Sequence, residues 1–132
     1  MDFDRQKLIH AAMAARERAY APFSGFRVGA ALLCGDGAVY TGCNIENSSY
    51  SPTLCAERCA AAKAISEGRR DFAAIAIVGS SLEPTTPCGV CRQFLYEFCD
   101  ESFPVICAKN ETDYVETTLG ELFPRGFRLE AK

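Results

Sequence analysis

This chain has one histidine, His10, and no stretch in which lysine and arginine gather. The scarcity of histidine rules out a metal centre built on imidazoles. His10 lies in an N-terminal helical pattern with no companion ligand nearby, and reads as a helix-face residue. The absence of a basic cluster argues against a polynucleotide partner, which needs a positive footprint. Lys and Arg number 14 against 17 Asp and Glu, for a net charge of −3. There is also no apolar run long enough to span a membrane, and Met1-Asp2-Phe3-Asp4-Arg5 does not read as an export signal, so neither a membrane partner nor secretion is expected. No internal repeat, low-complexity tract or linker interrupts the chain. With 48% hydrophobic residues, its 132 residues suit one globular domain, 1–132, with a real core.

Cysteine, by contrast, is plentiful: Cys34, Cys43, Cys55, Cys59, Cys88, Cys91, Cys99 and Cys107. In an exported chain an even count suggests disulfides. Here several cysteines sit inside apolar runs, and Cys34 and Cys107 end expected core strands, where a free thiol behaves as a small hydrophobe. A reducing cytoplasm is the expected location.

Hydrophobic periodicity predicts an ordered series of elements. Leu8, Ala12, Ala15 and Ala19 make one apolar stripe on a helix from about Asp4 to Tyr20, stopped by Pro22. Arg27 to Cys34 and Ala38 to Cys43 read as a hairpin around Gly35-Asp36-Gly37. A second helix runs from near Cys55 to about Glu67, ending at Gly68. The apolar run Phe72 to Gly79 reads as a strand covered on both faces. A third helix follows, with Thr86 as N-cap, Pro87 at its first position and Phe94, Leu95 and Phe98 on its buried face. Val105 to Ala108 and Tyr114 to Thr117 read as further strands, and Thr118 with Glu121 as the capping box of a short last helix. The order α-β-β-α-β-α-β-β-α predicts an α/β fold, a mixed sheet of about five strands with helices on both faces.

Chemistry concentrates at Cys55-Ala56-Glu57 and Pro87-Cys88-Gly89-Val90-Cys91. Three thiols can hold one zinc ion and leave a fourth position for water, as catalytic zinc sites do. Glu57 is placed to work on that water. Cys55 and Cys88-x-x-Cys91 both open helices, where backbone N–H groups favour thiolates. Positions two apart do not share a helix face, so Cys55 and Glu57 reach one site only if the metal lies off the helix end. Three thiolates around Zn²⁺ leave a charge of −1, which opposes ionising the water. Arg58 and Arg92 are positioned to offset it by donating to sulfur. Alternatives stay open: a redox pair at Cys88 and Cys91, and a structural zinc with Cys59 as fourth ligand, since Cys55 and Cys59 are one helical turn apart.

The pattern Cys-x-Glu followed by P-C-x-x-C is that of the zinc deaminases. More closely, the chain resembles the small cytidine deaminases of pyrimidine salvage. The likeness extends over Tyr20-Ala21-Pro22-Phe23-Ser24, Phe26-Arg27-Val28-Gly29-Ala30-Ala31, Gly42-Cys43-Asn44-Ile45-Glu46-Asn47, Cys55-Ala56-Glu57-Arg58 and Pro87-Cys88-Gly89-Val90-Cys91-Arg92-Gln93, nearly the whole chain. The resemblance implies a three-layer α-β-α cytidine deaminase-like fold and one Zn²⁺ per chain on Cys55, Cys88 and Cys91. It implies Glu57 as proton shuttle, Asn44 and Glu46 on the ribose, Phe26 against the pyrimidine and Ala56 among the substrate contacts. It further implies a homotetramer in which Phe127 closes a neighbouring subunit's site. The implied activity is hydrolytic deamination of cytidine and 2′-deoxycytidine. An amide and a carboxylate on alternate positions leaving a strand share a face and can pair with a sugar hydroxyl, which suits Asn44 and Glu46.

Overall fold

The computed structural model describes residues 2–131. In chain order the elements are α1 (Arg5–Arg16), β1 (Val28–Cys34), β2 (Val39–Cys43), α2 (Ala56–Ser66), β3 (Phe72–Gly79), α3 (Gly89–Tyr96), β4 (Pro104–Ala108), β5 (Tyr114–Thr118) and α4 (Leu119–Leu122). The five strands form one sheet in the order β2-β1-β3-β4-β5. Only the β3–β4 pair is parallel, and α3 supplies its crossover; the other pairs are antiparallel. The expected mixed sheet and helix order are both present.

β3 shows why its sequence is apolar throughout. Ile75 and Ile77 point to one face, where α2, α3 and α4 bring Ala60, Ala64, Leu95 and Leu119. Ala74, Ala76 and Val78 point to the other, against Leu8, Ile9 and Ala12 of α1. Every one of these side chains is almost fully buried, and each larger aliphatic among them contributes roughly 1.5–3 kcal/mol of transfer free energy. The α1 face is the one lined mainly by alanines, so that helix can lie close to the sheet.

Two boundaries differ from the sequence expectation. α1 ends at Arg16 rather than Tyr20. The N–H groups of Arg18 and Ala19 bond back only three residues, and the Tyr20 N–H donates to Asn44 O, which pulls Tyr20 out of the helix to lie beside Ile45. The N-cap of α3 is Cys88, not Thr86, and Pro87 lies outside the helix. The Pro87 carbonyl accepts from Arg92 Nε at 2.7 Å, while the Arg92 N–H bonds Cys88 O, so the helical ladder starts one residue after the proline. Phe98 falls past the helix end, its N–H bonding back only three residues to Leu95 O, although it still packs against the core. The Thr118 cap is present, its hydroxyl accepting from Glu121 N at 3.2 Å.

Close packing sets where α2 begins. A Cβ on Gly42 would lie 2.5 Å from both Ala56 O and Ala60 N, so only glycine lets the first turn of α2 rest on β2. That contact fixes the position of Cys55 and Glu57 relative to the sheet.

Candidate active site

Cys55 and Cys88 occupy the same kind of position: each is the N-cap of its helix, with extended backbone and no side-chain cap bond. Their sulfurs are 3.6 Å apart, and with the Cys91 sulfur they form a group whose members all lie within 4.8 Å of one another. Tetrahedral zinc with Zn–S bonds of about 2.3 Å separates its sulfurs by about 3.8 Å, so this donor set fits the ion. The electrostatics fit as well. The Cys55 thiol is pulled below the usual range, first by the hydrogen bond from Cys91 and then by Arg58. Cys91 is pushed up, because it is the donor to Cys55 and is itself buried. Zinc takes thiolates, and a divalent cation supplies the charge that favours their ionisation.

Glu57 is 4% exposed, and burial pushes its carboxyl up to about 7. Because Cys55 stands just outside the regular helix and Glu57 within its first turn, both line one cavity of about 220 Å³. The geometric condition on two positions so close in sequence is therefore met off the helix end.

Phe26, Asn44, Glu46 and Ala56 line the same cavity, together with Cys88. The side chains of Asn44 and Glu46 are partly engaged by the chain itself. Asn44 Oδ1 accepts from Val28 N and its Nδ2 donates to Phe26 O, both at 2.8 Å, which ties the Phe26 backbone to the residue-44 loop. Glu46 accepts from the N–H groups of Phe23 and Ser24 and from the Ser24 hydroxyl, which hold its carboxyl below its usual range. Each keeps capacity for a further hydrogen bond.

Arg58 Nη2 donates to Cys55 Sγ and to Thr53 O, each at 3.4 Å, so its charge lies against the thiols. Its buried Nε has no partner. Arg92 departs from expectation: its guanidinium donates to the carbonyls of Pro87 and Leu122 and to no sulfur. It braces the segment leading into Cys88 against α4. Phe127 is 66% exposed and does not line this cavity; its carbonyl accepts from Gln93 Nε2 at 3.4 Å. Cys59 stands apart from the three sulfurs, with its Cβ against the Cα side of Gly42, so the four-sulfur site is not assembled. His10 is exposed and pairs with Glu111 at 3.5 Å.

The structure adds Thr53, Thr85 and Thr86 to the cavity wall. Thr86 and Thr53 each stand two residues before a candidate zinc ligand, a proximity that would have singled them out; nothing in the local pattern marks Thr85. Among the described residues no helix is long and apolar enough to cross a membrane.

Residues 3–107 match the model of the cytidine and deoxycytidylate deaminase zinc-binding region. A cytidine deaminase of Sporosarcina psychrophila is 52% identical over 127 residues, covering 96% of this chain and 93% of its own. A probable cytidine deaminase of Dictyostelium discoideum is 46% identical over 127 residues, covering 95% and 84%. The crystal structure of a cytidine deaminase from Burkholderia pseudomallei superposes with a TM-score of 0.91 at 46% identity, covering 95% of this chain and all of its own. With the three-thiol cluster beside the cavity that holds the buried Glu57 carboxyl, this places the chain in the cytidine and deoxycytidylate deaminase zinc-binding family.

Proposed function

We propose that this protein hydrolyses cytidine and 2′-deoxycytidine to uridine and 2′-deoxyuridine, releasing ammonia. The observation that carries the reading is Glu57: a buried carboxyl, raised to about 7, in the same cavity as Cys55 and Cys88, two of the three clustered thiols that fit one zinc ion. Cys55, Cys88 and Cys91 would hold the zinc, which would supply a water acidified to near neutral pH. Glu57 would accept the proton of the attacking water and hand it to ring N3 as the C4–O bond forms. It would then take the proton of the new C4 hydroxyl and deliver it to the amino nitrogen as the C4–N bond breaks, so that ammonia leaves and the C4 carbonyl remains. Ultraviolet measurement of cytidine turnover with and without a chelator tests the reading: turnover should be present, should fall with the metal removed and should return with zinc.

Asn44 and Glu46 take the sugar hydroxyls, and the Phe26 ring packs on the pyrimidine, with Ala56 among the contacts to the base. Asn44→Ala and Glu46→Ala should each raise KM for cytidine about tenfold while leaving zinc content unchanged, because each removes a hydrogen-bond partner from a bound hydroxyl. Unaltered kinetics in both variants would remove the ribose assignment.

Arg58 holds the thiolates. Its charge lowers the Cys55 pKa, so Arg58→Gln should raise it, and protons should then compete better with zinc. The pH at which half the zinc is lost during acid dialysis should move upward, and the acidic limb of the rate profile should move with it. An unmoved midpoint would show that Arg58 does not set the charge at this site.

We also infer that residues 1–132 act as one deaminase domain, assembled as a homotetramer with sites at the subunit interfaces and working in pyrimidine salvage in the cytoplasm. All eight cysteines are free thiols, which suits a reducing compartment. Tyr50, Phe127 and Leu129 are 80%, 66% and 84% exposed, which suits burial against other copies. Light scattering should give the mass of four chains; a monomer at assay concentration would overturn the assembly.

A further inference from the structure

We propose that Gly79 and Thr85 are positioning residues for the base: the bare Cα of Gly79 makes a recess that seats Thr85, and the two together keep the Phe26 ring back from the cavity. The inference rests on the reading that this cavity takes the pyrimidine of cytidine. Gly79 ends β3. A Cβ built on it would lie 2.1 Å from Thr85 Oγ1, 3.1 Å from Thr85 Cβ and 3.0 Å from Phe26 Cζ. Two side chains from distant parts of the sequence therefore meet over one glycine. Both of them line the cavity that also holds Cys55, Glu57 and Cys88.

The backbone of Gly79 cannot retreat to make room. On one side it is paired with Val28 of β1. On the other its carbonyl accepts from Arg16 Nη1 at 2.9 Å, which fastens it to α1. Thr85 has some hold of its own, with its hydroxyl 3.4 Å from Ser81 Oγ. A methyl group at position 79 must therefore push Thr85 or the Phe26 ring, and the open direction is the cavity. A cavity of about 220 Å³ has little space to give up. Interiors resist such insertions because they are already close-packed. The effect falls on a packing contact with the ring, away from Glu57 and the thiols that act on the water. Such a loss raises KM and spares kcat.

The test is a double-mutant cycle on the zinc-loaded enzyme, with cytidine as substrate. Gly79→Ala should raise KM about tenfold or more, with kcat within about threefold of the parent. Zinc content should stay near the parent value, and the melting temperature should fall by only a few degrees, about what the insertion of one methyl costs. Thr85→Ala removes the oxygen that a Cβ at position 79 would strike hardest, so the pair Gly79→Ala with Thr85→Ala should recover most of the KM lost in Gly79→Ala; that recovery is a coupling that independent sites do not show. A KM unchanged in Gly79→Ala, or a double variant no better than the single one, overturns the proposal. So does a loss of zinc or of folding that accounts for the whole effect. Should Gly79→Ala fail to fold, Thr85 decides the matter alone. Thr85→Ala should raise KM about threefold or more, and Thr85→Ser, which keeps the oxygen, should stay near the parent; equal KM values in all three overturn the proposal. Failure of the functional reading looks different, because the parent enzyme itself would then not turn over cytidine.

Discussion

Glu57→Gln is expected to retain its zinc and its fold and to lose nearly all turnover. A positioned general acid–base group contributes roughly 10²–10⁴-fold, and here one carboxyl is asked to move protons at two separate steps. Glutamine has the same shape and reaches the same place, but it cannot accept the water proton. The environment of Glu57 strengthens the argument. Burial raises its carboxyl from 4.5 to about 7. A carboxyl raised in the folded state is one whose charge the fold opposes, and that opposition grows as pH climbs from the ordinary value toward the raised one. Replacing it by a neutral amide removes the cost, so with the metal chelated from both proteins the melting temperature of Glu57→Gln at pH 8 should equal or exceed that of the parent. Loss of turnover with stability intact separates chemistry from folding. Near-normal turnover in this variant would mean that Glu57 is not the proton shuttle.

The parts of the site that could be read from the chain are those written in short spacings. Cys88-x-x-Cys91 and Cys55-Ala56-Glu57 each place their groups at one helix end, and the structure brings the two ends together across the cavity. The fold was legible for a similar reason: β3 is apolar because both faces are covered, and the helix stripes alternate with it. What local pattern did not carry were the long-range competitions for backbone groups. Pro87 fits the first position of a helix by propensity, yet its carbonyl belongs to Arg92, whose other donor reaches Leu122 some 30 residues on. Arg92 was thereby drawn away from the sulfurs. α1 ends early because Asn44 O takes the Tyr20 N–H. Asn44 and Glu46 were legible as a polar pair but not as braces for Phe26 and Ser24. The recess at Gly79 depends on a side chain six residues later and another from before β1, so no window along the chain contains it.

Replacing each cysteine in turn should divide them sharply. Cys55→Ser and Cys88→Ser are expected to lose zinc and turnover together, whereas Cys59→Ser keeps one zinc per chain and most of its activity. A serine hydroxyl does not ionise where a thiol does, and the thiolate is the ligand. With two sulfurs left, the site no longer matches the three-ligand arrangement that holds a catalytic zinc. The structure explains why Cys59 differs although it lies one turn along α2 from Cys55. Its Cβ packs where Gly42 lacks a side chain, and its sulfur is not among the three that cluster. Serine at that place alters a half-buried packing contact, a change of the kind that costs about 1 kcal/mol or less. The coordination number gives the result its meaning. A catalytic zinc needs its fourth position for water; a fourth thiolate would fill it and add another negative charge beside Glu57. Zinc content by atomic absorption and cytidine turnover, measured on the same preparations, decide between the two. If Cys59→Ser lost metal as Cys55→Ser does, the site would be a closed four-sulfur one, and a buried carboxylate beside it would have no water to act on.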